Sequence, residues 1–176
     1  SAEWKWRQQQ FPGSDDDGAT AAVPDRLPRV DAKSQDARLA YWNDVLKKLA
    51  AIPVDKLAPA NKINFEVYQP QIADLAADVH FRQYEMPFNA DSQFWSDLGF
   101  LSGRHLRTIK DAQNYIALLN DVTRWFDENI VNMRAGLKRG FSVPRAVLDG
   151  RDVSITTYIV KSPQDSDFYK PFKSLP

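Results

Sequence analysis

Apolar and polar positions sort most of this chain into helices. Between Thr108 and Pro144, Tyr115, Leu118, Leu119, Val122, Trp125, Phe126, Ile130, Met133 and Leu137 recur at three- and four-residue spacing. That spacing predicts one long helix with a continuous apolar face. Thr108 and Asp111 form the start of a capping box in its Asp variant. Lys138 and Arg139 complement the dipole at the other end, Gly140 offers a left-handed stop, and Pro144 forbids continuation. An earlier stripe of Leu39, Trp42, Leu46 and Leu49 predicts a helix from about Ser34 to Ile52, closed by Pro53. Ile63, Val67, Ile72, Leu75 and Val79 predict another, from Pro59 to about Tyr84. Pro70 falls inside that stripe. An interior proline costs about 3 kcal/mol, so this helix is expected to bend or divide in two.

The remaining segments are less periodic. Glu3 to Phe11 predicts a short helix ending at Pro12-Gly13, and Ser14 to Pro28 reads as a polar, acidic loop. Glu85 to Arg107 is aromatic and irregular, and a further helix is expected from Pro144 through Leu148. Val153 to Val160 is β-branched and suits a strand on propensity alone. A lone strand has no partner here, so helix is the expectation. Ser162 to Pro176 reads as a connector. The fold class is all-α, with long amphipathic helices packed as an irregular bundle. Its expected divisions are an N-terminal helix and loop over 1–33, a helical core over 34–162 and a connector over 163–176.

At 176 residues the chain is one domain's worth, or a large piece of a bigger one, and if compact would bury about 70% of its unfolded surface. Five Trp, ten Phe and six Tyr supply bulk for the core. The 23 basic and 23 acidic residues balance, so no global charge attracts nucleic acid or an anionic membrane. No apolar run is long enough to span a bilayer. The absence of cysteine removes disulfides, thiolate catalysis and thiolate metal sites.

Candidate chemistry is sparse. The two histidines, His80 and His105, lie outside any H-E-x-x-H pattern, and no carboxylate sits three or four residues from His80. His80 is expected as a partly buried helix residue and His105 as a loop residue. The run Asp15-Asp16-Asp17-Gly18 fails as a calcium loop, because the anchor positions fall on Gly13 and Pro24. Asp74, Asp78 and Arg82 read as a surface ion-pair ladder at four-residue spacing. Arg134, Lys138, Arg139 and Arg145 read as dipole complementation and solvation. No nucleophile elbow, phosphate loop or dinucleotide fingerprint is present. No catalytic residue and no metal ligand is therefore assigned. One stretch combines aromatics with amides: Phe88, Asn89, Gln93, Phe94, Trp95 and Phe100. Such a mixture builds binding grooves, although aromatics also fill helix seams. Asn89, Gln93, Phe94 and Trp95 are the substrate-binding candidates.

Four strings, in order, carry a family resemblance. They are Asn61-Lys62-Ile63-Asn64-Phe65-Glu66-Val67, Met86-Pro87-Phe88-Asn89, Asn132 through Gly140 (NMRAGLKRG) followed by Pro144, and Asp165 through Phe172 (DSDFYKPF) before Leu175-Pro176. Together they resemble the bacterial family called domain of unknown function 885, from about Pro24 onward. The resemblance implies a longer, largely helical protein, exported to the periplasm or lipid-anchored, and similar to zinc metallopeptidases of the zincin type. That family's metal motif, a His-Glu pair followed closely by Gly-His-His, lies far downstream of the matched region. No ligand or catalytic glutamate can be carried over to this chain, and the zinc would belong to the full-length protein.

Two functional readings follow. In the first the chain is the N-terminal, non-catalytic helical region of a peptidase-like protein, partnered by a missing C-terminal part and walling a peptide groove. In the second it is a free-standing helical binding module. A fragment should leave apolar helix faces uncovered, whereas a complete module should cover them. The ending at Phe172-Lys173-Ser174-Leu175-Pro176 favours the fragment as the expectation.

Overall fold

The computed structural model describes residues 2–12 and 22–174, and among these every named element is helical. The acidic run at 15–18, and with it most of the loop expected from Ser14 to Pro28, lies outside the described residues. Helix α1 (Ala2–Gln10) and α2 (Ala32–Ala50) match their expected positions. Asp31 caps α2, accepting hydrogen bonds from the Ser34 amide at 3.0 Å and the Ser34 hydroxyl at 2.7 Å. A 3-10 turn, Val54–Lys56, leads into α3 (Pro59–His80), which carries its proline at the first turn.

Pro70 neither divides nor ends α3, which runs through it as one helix. The ring is exposed, and on an exposed face water can satisfy the carbonyl that loses its donor. The apolar stripe of α3 is split instead. Ile72 and Val79 are buried against α2, while Ile63 is 62% exposed and Val67 56% exposed. At 3.6 residues per turn Ile63 and Val67 fall on a different side of α3 from Ile72 and Val79, so the hydrophobic effect uses one side of the helix and leaves the other bare.

Two further expectations change. Past α3, Arg82 takes a left-handed backbone conformation (φ 56°), which turns the chain into the 3-10 turn Gln83–Glu85. That turn aims Arg82 at Glu85, 3.5 Å away, so the ladder with Asp74 and Asp78 does not form. His80, at the end of α3, is exposed and not partly buried.

The long helix α4 (Ile109–Lys138) has the capping box at Thr108 and Asp111. Gly140 adopts φ 77°, the left-handed stop. Tyr115, Leu118 and Trp125 are buried, but Leu137 is exposed because the last turn packs through Gly136 instead. A 3-10 turn, Arg145–Val147, stands where a helix to Leu148 was expected, and α5 (Arg151–Thr156) takes the first half of the β-branched run.

Two apolar cores result. One gathers Trp42, Leu49, Ile72, Ala76 and Val79 between α2 and α3, with Trp6 of α1 stacked on Tyr41 at 3.8 Å. The other gathers Val23, Trp95, Leu98, Leu101, Leu106, Tyr115, Leu118 and Trp125 around α4. The tail belongs to the second core: Phe168 and Phe172 pack against it within the 3-10 segment Asp167–Ser174. The buried Tyr115 hydroxyl, its pKa pushed up to about 12 by burial, donates to the Phe168 carbonyl at 3.0 Å.

Residues 22–30 lie along α4, and α4 side chains meet their backbone. Asn114 donates to the Val23 carbonyl at 2.8 Å, and Asp121 accepts from the Leu27 amide at 2.8 Å. Arg124 donates to the Leu27 carbonyl at 3.0 Å. Glu128 accepts from the Val30 amide at 2.8 Å, and Asn132 donates to the Val30 carbonyl at 2.7 Å. The Arg124 hydrogen bond, outweighing desolvation, holds the Asp121 carboxyl below the usual carboxylate range.

At the far end of α4, Arg139 pairs with the buried Glu85 carboxylate and covers the Phe141 ring at 4.3 Å. Gly136 permits this approach. A Cβ there would meet the Glu85 carbonyl oxygen at 2.6 Å and the Phe141 carbonyl oxygen at 2.7 Å.

Gly136→Ala is expected to destabilise the chain by about 1–3 kcal/mol, since both obstructing atoms are backbone; urea unfolding checks this. Asp121→Asn should cost about 2 kcal/mol near neutrality. Because the folded pKa is depressed, that contribution is complete above about pH 4 and is lost as pH falls through the folded value. Wild type and Asp121→Asn stabilities should therefore converge in acid, as measured by unfolding at a series of pH values.

Candidate functional site

The aromatic, amide-bearing loop lies between α3 and α4 and is tied to α5. Asn89 begins a tight turn, its Oδ1 accepting from the Asp91 amide at 2.8 Å and the Ser92 amide at 2.9 Å. Phe88 and Gln93 face each other in an isolated antiparallel bridge, and the Phe94 amide donates to the Pro87 carbonyl at 3.1 Å. The chain then enters a 3-10 segment, Phe94–Gly103, that buries Trp95, Leu98 and Leu101.

The four candidate residues are brought together, and each already has work inside the protein. Gln93 Oε1 accepts from Arg151 at 2.6 Å, and Arg151 also bonds the Ala90 carbonyl and the Val147 carbonyl. Trp95 Nε1 donates to the Ser154 hydroxyl at 2.9 Å, and Ser154 donates to the Arg151 carbonyl at 2.6 Å. The Phe94 ring packs on Trp95, Trp125 and Phe126 at 5.1–5.2 Å between centroids. Asn89 alone of the four remains exposed, while Phe100, from the same stretch, is 73% exposed. A cleft of about 410 Å³ beside the loop is lined by Ala90, Ala146, Val147, Asp149, Gly150, Arg151 and Ser154, and by none of the four. In the first turn of the 3-10 segment Phe94–Gly103, partial desolvation raises the Asp97 carboxyl above its ordinary range.

A second concavity, of about 570 Å³, opens between α2 and α3. Leu49, Ile52 and Leu57 form one side, Phe65, Val67 and Tyr68 the other, and Asn61, Asn64 and Gln71 supply amides. No charged side chain lines it. Sequence reading missed this groove because Val67 read as part of the apolar stripe of α3. The signal was present in the polar positions: Asn61, Asn64, Tyr68 and Gln71 follow helical spacing along one edge of α3.

Zinc, implied by the resemblance above, does not fit the residues described. His80 and His105 are both exposed, and no three of His, Asp, Glu or Cys come together to hold a metal ion among the described residues. No helix there is long and apolar enough to cross a membrane.

The class defined by these features is an all-α scaffold with an uncharged groove and a pinned aromatic loop. The chain belongs to the family of bacterial proteins of unknown function DUF885, which it matches over residues 13–176. No curated protein and no solved structure matches it significantly.

Arg151→Ala removes the donors that tie Gln93, Ala90 and Val147 together. The expected cost is about 2 kcal/mol, with faster amide exchange at Asp91, Ser92 and Phe94, and through α5. Hydrogen exchange followed by NMR reads both effects.

Proposed function

We propose that this chain is the non-catalytic, N-terminal helical region of a zincin-like metallopeptidase, and that its α2–α3 groove holds an uncharged stretch of peptide. The observation that carries this reading is the bare apolar surface of α3, where Ile63, Val67 and the groove wall stay open to solvent. A helix apolar on opposite faces is ordinarily covered on both. Exposed apolar patches on folded domains mark surfaces that meet something else. Ile109, Val131 and Leu137 add exposed apolar residues along α4. The groove's chemistry suits peptide: apolar walls accept side chains, and the amides of Asn61, Asn64 and Gln71 offer both donors and acceptors to a peptide backbone.

In this reading Gln93, Phe94 and Trp95 hold the aromatic loop rigid, and the exposed Asn89 is its contact with ligand. Residues 163–176 lead toward the partner part of the same protein. Zinc and the hydrolytic water belong to that part. Export to the periplasm, or lipid anchoring, follows from the same family resemblance.

The test uses the complete natural gene product. It should contain stoichiometric zinc and cleave unstructured peptides. Val67→Asp should raise KM about tenfold, or about 1.4 kcal/mol, with kcat and zinc content unchanged. A product with neither zinc nor cleavage overturns the peptidase reading. An active product in which Val67→Asp leaves KM unmoved removes the groove from it.

A further inference from the structure

The least satisfied charged group described is Arg38, inside α2. It is 2% exposed, and its three nitrogens are poorly provided for. Nη1 reaches Gln35 Oε1 and Nη2 reaches the Gln10 carbonyl, each at 3.4 Å, beyond the usual range for such bonds. Nε has no partner. The guanidinium rests over the Phe11 ring at 4.5 Å. Its two nearest carboxylate influences are Asp31 and Glu128. Both are engaged elsewhere, Asp31 with Ser34 and Glu128 with Val30, Arg29 and Arg124. A buried guanidinium left without good acceptors is costly.

The same guanidinium lines a pocket of about 330 Å³ between the end of α1 and the segment leading into α2. Arg26 and Arg29 line it too, with Gln9 and Gln10 at its edge and Leu27 and Pro28 forming an apolar wall. Among the described residues, every charged side chain in this lining is an arginine. Arg29 is neutralised by Glu128 at 3.0 Å, and Arg26 lies 3.9 Å from Asp25. The surplus is thus centred on Arg38.

We infer that this pocket binds a small organic carboxylate through Arg38. A carboxylate brings two coplanar oxygens that match the guanidinium fork. Its carbon chain can lie on Leu27 and Pro28. A phosphate dianion fits less well, because it offers no apolar part to the Leu27 and Pro28 wall.

The test adds sodium butyrate to the intact chain, beside butyramide, sodium phosphate and sodium chloride, with ionic strength matched. Two readouts are followed: the melting temperature and the NMR resonance of the Arg38 Nε–H. Butyrate should shift that resonance and raise the melting temperature by about 3 °C at ten times its Kd, while the others do neither. Gln9→Trp, an exposed change at the pocket edge, should blunt the response without unfolding the chain, and Arg38→Met should abolish it. A stable Arg38→Met protein, together with an unmoved Nε–H resonance in wild type, makes Arg38 a packing residue and overturns the inference. Equal protection by phosphate overturns the assignment to carboxylates.

Discussion

Everything in this molecule depends on how α4 holds the backbone of residues 22–30. A chain segment outside helix or sheet must still find partners for its buried amides and carbonyls. Here the partners are side chains at positions 114, 121, 124, 128 and 132 of a single helix. Their spacing of three, four and seven puts them on one side of α4, beside the apolar face that buries Tyr115, Leu118 and Trp125. The segment so held ends at Asp31, the residue that caps α2. One row of hydrogen bonds thus sets where the α2–α3 pair begins relative to α4, and joins two cores that share little apolar contact.

The opposite end of α4 supplies the second fastening, through Gly136, Arg139 and Glu85. Between these two fastenings α2 and α3 can present surface without being needed for cohesion. That explains how one helix carries both a buried stripe and a bare one. It also leaves two concavities of opposite character toward the two ends of α2: an uncharged groove against α3, reached by Leu49 and Ile52, and an arginine-lined pocket at the start, reached by Ser34 and Arg38. Their recognition chemistry does not overlap, so occupation of one does not compete for the other's polar groups.

Much of the helical layout was legible in the residues. The capping box at Thr108, the left-handed Gly140 and the stripe of α4 are strong local signals, and they ended where local physics said they should. Pro70 misled, because a proline's cost depends on whether its freed carbonyl faces water, which is a tertiary fact. The apolar positions of α3 misled too, since Ile63 and Val67 fall out of phase with Ile72 and Val79 and only one of the two sides meets α2. Asn114, Asp121, Glu128 and Asn132 went unread because polar residues at helical spacing look like a solvated side. Only the path of a segment about a hundred residues away turns them into structure. For the aromatic loop, sequence marked the right residues as a group. It could not weigh Arg151 and Ser154, whose positions more than fifty residues on are set by the fold.

The row of bonds along α4 also fixes an order of assembly. The pairs it closes are separated by 91 to 102 residues, and contacts that distant form late because the intervening chain must first be organised. The α2–α3 pair needs only its own short connection. During synthesis it can form while α4 is still inside the ribosome, with its groove bare and its N-terminal lead untethered. Residues 22–30 can close onto α4 once Asn132 has emerged, bringing Val23 into the second core, which is complete only when Phe168 and Phe172 of the tail arrive.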